Sequence, residues 1–113
     1  MQENTPYHSP CPVETALNLI GNKWKILIIR DLLRGKMRFG ELKKSISATK
    51  NQSISQKVLT QNLRELESAK LITRKVYAEV PPKVEYSLTK LGQSLQSVIE
   101  SLEKWGECYK SIS

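Results

Sequence analysis

Residues 54–67 carry two kinds of side chain on opposite sides of one helix, and this pattern constrains the fold more than any other. An α-helix turns about 100° per residue, so Leu59, Leu63 and Leu66 share one side with Val58, as a core-facing stripe does. The opposite side carries amides, a hydroxyl and cations, which are groups that bond base edges and phosphates. The residues of this polar arc are Gln56, Lys57, Thr60, Gln61 and Arg64. The segment therefore predicts a helix that packs through its leucines and contacts nucleic acid through its polar arc.

The hydrophobic period changes to two after residue 70. Residues 71–77 and 83–88 alternate in polarity, which predicts two strands. Pro81 and Pro82 lie between them and cannot donate to a strand ladder, so the connection is predicted to be a stiff hairpin tip. Helical patterns precede residue 54 at 12–20, 23–34 and 38–47, and the polar run 47–53 predicts a connecting loop. Ser53 or Ser55 is suited to cap the helix that follows.

A second regular pattern occupies the C-terminal segment, about residues 89–112, where Thr89 is suited to cap a helix. Its apolar residues are spaced alternately by four and three, as in a coiled-coil seam. A seam of this length exceeds what a small domain needs for its own packing, so it predicts a two-fold homodimer interface. The predicted interface residues are Leu91, Leu95, Val98, Leu102, Trp105 and Tyr109.

The order of these segments predicts an α+β, mainly α fold: a winged helix-turn-helix with a two-stranded wing (about 71–88) and a C-terminal dimerisation helix. A flexible arm (residues 1–10) is expected before a single domain (11–113). The recognition helix, about residues 55–69, would enter the major groove of double-stranded DNA, and the wing would lie on the adjacent backbone or minor groove. The predicted DNA-binding residues are Arg38, Ser55, Gln56, Lys57, Thr60, Gln61, Arg64, Lys75 and Lys83.

The charge balance agrees with a polyanionic partner. Lys and Arg number 18 against 11 Asp and Glu, which gives +7 and a pI near 9.5. This excess favours nucleic acid or an anionic membrane surface, and composition alone does not separate the two. No apolar run approaches the roughly 18 residues of a membrane span, and the N-terminus does not resemble a secretory signal, so a cytoplasmic location is expected.

Catalysis, metal binding, protein binding and RNA binding are the alternatives to DNA binding. His8 is the only histidine, and it lies in the predicted arm, so neither a catalytic set nor a metal site is expected, and no cofactor. A winged helix that binds proteins is the stronger alternative, although such modules lose the basic recognition arc. RNA binding is less favoured because seven aromatic residues offer no evident stacking platform.

The two cysteines are candidates for regulation. Cys11 precedes Pro12, which suits the first position of a helix, where amide donors and the helix dipole favour the reactive thiolate. The alternative is that Cys11 is a small buried hydrophobe. Cys108 lies beside the predicted seam, which makes an intersubunit Cys11–Cys108 disulfide a hypothesis; an exposed cysteine near the terminus is the simpler interpretation.

The chain resembles the HxlR family of bacterial winged-helix transcription regulators, which is similar to the MarR group. The resemblance covers roughly residues 11–106 and rests on the stretches "CPVE", "GNKWKILIIRDLLRG", "RFGELKKSI", "ISQKVLTQNLRELE" and "VPPKVEYSLTKLG", with Trp105 and Gly106. It implies a homodimeric regulator, often a repressor, that binds a pseudo-palindromic operator.

The resemblance suggests a role for Cys11, and the chain departs from the family in the segment before the recognition helix. Some relatives sense oxidants or electrophiles through a cysteine at the position of Cys11; no effector of this chain is implied. Family members usually have a short Pro-Gly-type turn where this chain has "SATKNQS", residues 47–53. We expect this longer segment to affect which side chains of the recognition helix reach the bases.

Overall fold

The computed structural model describes residues 9–50 and 53–112 of the chain. It forms a winged helix, and the predicted α+β, mainly α class is confirmed. Most of the predicted arm, including His8, falls outside the described residues, as do residues 51–52 of the predicted loop. The elements are α1 (Pro12–Ile20), α2 (Lys23–Leu32), β1 (Met37–Arg38), α3 (Phe39–Lys50), α4 (Gln56–Ser68), β2 (Ile72–Tyr77), β3 (Lys83–Leu88), α5 (Lys90–Gln93) and α6 (Gln96–Ile112).

Short polar side chains fix where the helices begin. Pro12 occupies the first turn of α1 as predicted, with Cys11 at the N-cap. The Asn22 carboxamide oxygen accepts from the amides of Trp24 and Lys25 at 2.8 and 3.0 Å and caps α2. The Ser55 hydroxyl accepts from the Val58 amide at 3.1 Å, so of the two predicted serines it is Ser55 that caps α4.

The core forms around α2, whose Ile28 and Ile29 are fully buried. The leucine stripe of α4 packs on it as predicted, but the assignment of Val58 to that stripe is wrong, since this side chain is 36% exposed. Val58 lies about 100° from the centre of the stripe, whereas Asn62 lies at the edge of the stripe, next to Leu66, and is buried. Other buried apolar side chains of the core are Leu32, Leu42, Ile46, Ile54, Leu71, Ile72 and Tyr86.

The predicted hairpin is confirmed: β2 and β3 pair antiparallel from Ile72↔Leu88 to Tyr77↔Lys83. A third strand, β1, pairs with the other side of β3 and gives the order β1-β3-β2. The sequence did not predict β1, because two residues show no alternation. Arg38 consequently lies in β1 opposite Glu85, one residue before α3 begins.

The predicted loop 47–53 is partly wrong, because α3 continues to Lys50. Two side-chain hydrogen bonds explain why this polar stretch remains helical. The Thr49 hydroxyl donates to the Ser45 carbonyl at 3.1 Å, and it accepts from the Arg30 guanidinium at 2.9 Å. Part of the predicted loop therefore forms the last turn of α3.

The predicted single C-terminal helix is also wrong, since a turn at residues 94–95 separates α5 from α6. Thr89 caps α5 as predicted, accepting from the Gly92 amide at 3.0 Å. The helix then tightens, because the Leu95 amide bonds the Gly92 carbonyl three residues earlier at 3.1 Å. Leu91 therefore lies on α5 and Leu95 in the turn, while Val98, Leu102, Trp105 and Tyr109 of the predicted seam lie on α6.

We expect Gly92→Ala to destabilise the fold by roughly 1–3 kcal/mol, as overpacking does. A Cβ at this position would lie 2.1 Å from the Leu71 carbonyl oxygen, so the backbone must move. Urea unfolding followed by circular dichroism measures the loss. Gly40→Ala is the matched control, since a Cβ there meets nothing within 4 Å; equal stabilities for the two variants would contradict the prediction.

Candidate nucleic-acid interface

The polar arc lies on the side of α4 that faces away from the core. Gln56, Lys57, Gln61 and Arg64 are exposed, and Thr60 is half-buried. Ser55, at the N-cap, is exposed as well. One helix therefore presents two amides, a hydroxyl and two cations to solvent, which is the mixture of donors and acceptors that base edges and phosphates require.

An amide pair attaches the back of α4 to the start of α2. The Asn22 carboxamide nitrogen donates to the Asn62 carboxamide oxygen at 2.8 Å, and the Asn62 nitrogen donates to the Val58 carbonyl at 2.8 Å. Asn62 is 5% exposed, so these bonds satisfy a buried polar group. Asn62 was not among the predicted site residues, although an amide at the edge of a leucine stripe is the pattern that would have revealed it.

An ion pair makes a second attachment between the same two helices. The Lys25 ammonium of α2 lies 2.5 Å from one carboxylate oxygen of Glu65, and the Gln61 amide nitrogen donates to the other at 2.7 Å. The bond from Gln61, and then the bond and charge of Lys25, lower the pKa of Glu65 below its ordinary value. Glu65 is therefore ionised at neutral pH and accepts from both partners.

The buried carboxylate of Asp31 connects α2 to α3, the helix that precedes α4. Asp31 is fully buried, and one of its oxygens accepts from Arg30 at 2.8 and 3.0 Å while the other accepts from the Ser45 hydroxyl at 2.8 Å. The same guanidinium reaches Thr49 near the end of α3. Near the other end of the α3–α4 connection, the Ile54 amide donates to the Ser47 hydroxyl at 3.1 Å. These bonds hold both ends of the α3–α4 connection.

The predicted wing lysines gather around one aromatic ring. The ammonium groups of Lys75 and Lys83 lie 4.9 and 4.8 Å from the centre of the Tyr77 ring. The Tyr77 hydroxyl donates to Glu85 at 2.9 Å and lowers the pKa of that carboxyl, aided by the charges of Lys36 and Lys83. Lys83 is half-buried and lies 3.5 Å from Glu85, so Lys75 is the more exposed of the two predicted cations.

The wing contributes a cation that the sequence analysis did not single out. Arg74 is exposed on β2 and lines a cleft of about 320 Å³ together with Thr60 and Arg64 of α4. Arg38, by comparison, is exposed in β1, and its backbone amide donates to Glu41 at 2.8 Å. The cleft joins the polar arc to the wing, and alternation in the strand placed Arg74 on the same side as Ile72, which is the pattern that would have indicated it.

An apolar surface covers a different part of the molecule, on α1 and α6. The predicted interface residues Leu91, Val98, Leu102, Trp105 and Tyr109 are all exposed, while Leu95 is half-buried against the core. The rings of Trp105 and Tyr109 stack with centres 5.5 Å apart. Helix α1 was not predicted to belong to this surface, yet Val13 and Leu17 are 67% and 61% exposed and share a cleft of about 480 Å³ with Val98 and Leu102.

Cys11 and Cys108 are both exposed thiols. The expectation that the Cys11 side chain accepts from the first amides of α1 is wrong, because it makes no capping hydrogen bond. The Ser9 hydroxyl lies in this region instead: it accepts from the Cys11 amide at 3.1 Å and bonds the Glu14 carboxylate. The interpretation of Cys11 as a buried hydrophobe does not hold.

Metal binding and membrane crossing are two further properties on which the described residues bear. Within residues 9–50 and 53–112, no three His, Cys, Asp or Glu side chains lie close enough together to hold a metal ion. Over the same part of the chain, each helix is too short or too polar to cross a membrane.

Comparison with known proteins identifies the family. Residues 19–113 match the HxlR-like helix-turn-helix family. The chain belongs to this family. It is 50% identical over 100 residues to the HTH-type transcriptional regulator YdeP of Bacillus subtilis, a match that spans 88% of this chain and 74% of YdeP. The resemblance stated from the sequence is thereby confirmed.

Solved structures of regulators share the HxlR-like fold. The redox regulator HypR in its oxidised form is 44% identical, with a TM-score of 0.78 over 87% of this chain and 96% of HypR. A MarR-family transcriptional regulator of Porphyromonas gingivalis is 40% identical, with a TM-score of 0.79 over 88% of this chain and 93% of that protein. The protein is a helix-turn-helix transcriptional regulator, and its relatives are transcription regulators rather than enzymes.

Proposed function

We propose that this HxlR-like protein binds double-stranded DNA sequence-specifically as a homodimer and represses transcription from a pseudo-palindromic operator. The observation that carries the proposal is the polar arc, exposed on a helix whose opposite face is buried in the core. The major groove admits one α-helix and shows a distinct donor and acceptor pattern at each base pair. In this proposal α4 occupies the groove, and the wing lies on the neighbouring backbone or minor groove.

Charge supports the same orientation. Arg64 of α4 and Arg74 of β2 line one cleft together with Glu67, so two cations outweigh one carboxylate there, and the cleft favours a phosphate or the acceptor edge of a guanine. A winged helix that serves only to bind proteins has no need of two cations and two exposed amides on α4. The net charge of +7 adds long-range attraction to DNA.

The apolar surface of α1 and α6 supports a homodimer. Exposed Leu, Val, Trp and Tyr side chains on two adjacent helices form a patch of the kind that marks a subunit interface. Two-fold pairing through this surface would present two copies of α4 to one duplex, which matches a two-fold operator.

Arg64→Ala should weaken binding to the preferred duplex by about 1–3 kcal/mol, with relaxed preference at one base pair if Arg64 contacts a guanine. Fluorescence anisotropy against the best duplex selected from a random-sequence library, and against random duplex, measures both effects at two salt concentrations. Lys104→Ala on α6 removes the same charge as a control. An equal loss on both duplexes would make Arg64 a phosphate contact, and no loss would show that Arg64 does not contact the DNA.

Leu102→Asp should convert the homodimer to monomer and lower DNA affinity, because a charge at this half-exposed position would be buried by the partner. Sedimentation equilibrium measures the association, and Ser101→Asp, which places the same charge on the neighbouring exposed position, should remain dimeric. A Leu102→Asp variant that stays dimeric would place the interface elsewhere.

We further propose that Cys11 makes the regulator responsive to oxidants or electrophiles. The thiol is exposed, and HypR, of similar sequence and fold, is described as a redox regulator. Formation of the hypothesised Cys11–Cys108 disulfide between subunits would transfer two electrons and two protons from the thiols to an oxidant such as diamide.

Diamide should abolish binding to the preferred duplex for the wild type and not for Cys11→Ser. Anisotropy measures the binding, and non-reducing gels detect a dimer band that Cys108→Ser should also lose if the disulfide joins these two residues. A dimer band absent from the wild type would exclude the disulfide, and binding indifferent to diamide would leave a regulator without a thiol switch.

A further inference from the structure

One hydrogen bond fixes the orientation of an amide in the polar arc. The Gln61 side-chain nitrogen donates to a carboxylate oxygen of Glu65 at 2.7 Å, one helical turn further along α4. An ionised carboxylate accepts hydrogen bonds and donates none, so the nitrogen end of the Gln61 amide must face Glu65. Rotating the amide by half a turn would place two acceptor oxygens against each other.

The carboxylate that anchors Gln61 is itself held from another helix. The Lys25 ammonium, on a side chain only 12% exposed, lies 2.5 Å from the second oxygen of Glu65. The pKa of Glu65 is lowered, which keeps the group ionised at neutral pH and thus acceptor-only. The orientation of Gln61 is therefore set by α2, on which α4 packs.

We propose that Glu65 is a positioning residue that makes Gln61 select adenine over guanine, an inference that rests on the proposed DNA-binding function. With one N–H donated to Glu65, the outward edge of the Gln61 amide retains its carbonyl oxygen and one N–H. Adenine matches this edge in the major groove, because its N6 donates and its N7 accepts. Guanine offers two acceptors, N7 and O6, which call for a pair of donors that the anchored amide cannot turn outward.

The test compares A·T with G·C at a single base pair. The duplex is the best one selected by the wild-type homodimer from a random-sequence library, and the base pair is the A·T pair at which Gln61→Ala loses its preference. For the wild type, we expect the dissociation constant to rise about 10-fold or more when this pair becomes G·C, within the range of one bidentate contact. For Glu65→Ala, we expect the ratio to fall below about 3-fold, since an unanchored amide accommodates either base.

Glu107→Ala is the matched control, because Glu107 is exposed on α6, away from α4, and its removal changes the net charge equally. It should raise affinity for both duplexes through weaker repulsion and keep the wild-type ratio. Glu65→Gln is the second variant should Glu65→Ala fail to fold, since a neutral amide at this position can face Gln61 with either end and so also lowers the ratio.

An unchanged A·T to G·C ratio in folded Glu65→Ala would overturn the inference, and so would an equal loss of affinity for both duplexes. A double variant of Gln61→Ala and Glu65→Ala with no further loss of preference than Gln61→Ala alone would support it, because the two residues then act through one contact. Wild-type protein that binds all duplexes equally would overturn the proposed function itself, which is a separate result.

Discussion

The packing of α4 on α2 is the constraint on which the remainder of the structure depends. The leucine stripe fixes which side of α4 faces the core, but apolar contact is non-directional, so by itself it leaves small rotations of α4 about its own axis undetermined. The buried Asn22–Asn62 amide pair and the Lys25–Glu65 ion pair remove that freedom, because each requires a particular angle. The direction of the polar arc is thus fixed from within the protein.

Local periodicity predicted the elements that it governs. The leucine repeat gave α4 within one residue at each end of the predicted recognition helix, and alternation with two prolines gave the β2–β3 hairpin. Features that depend on distant partners could not be predicted. Strand β1 exists because β3 offers it a free edge, and the last turn of α3 is supported by Arg30, which lies 19 residues before Thr49 in the sequence.

In the candidate site, too, local periodicity predicted which residues share a face but not the contacts that they make. Periodicity placed the polar arc on one side of α4, but it did not show that Gln61 is bonded to Glu65 or that Arg74 joins Arg64 in a cleft. Likewise, the apolar period of α1 indicated a helix without indicating that Val13 and Leu17 stay exposed beside α6. A sequence specifies which residues share a face more readily than it specifies what that face meets.

The extended α3 has a consequence for how this regulator can change over generations. Its final turn is tied to α2 through Thr49, and α4 starts afresh at its own cap, Ser55. Residues gained or lost between these two anchors alter the length of the connection while the register of α4 against the core is kept. The segment can therefore diverge in length among descendants of one ancestor without resetting which side chains form the polar arc.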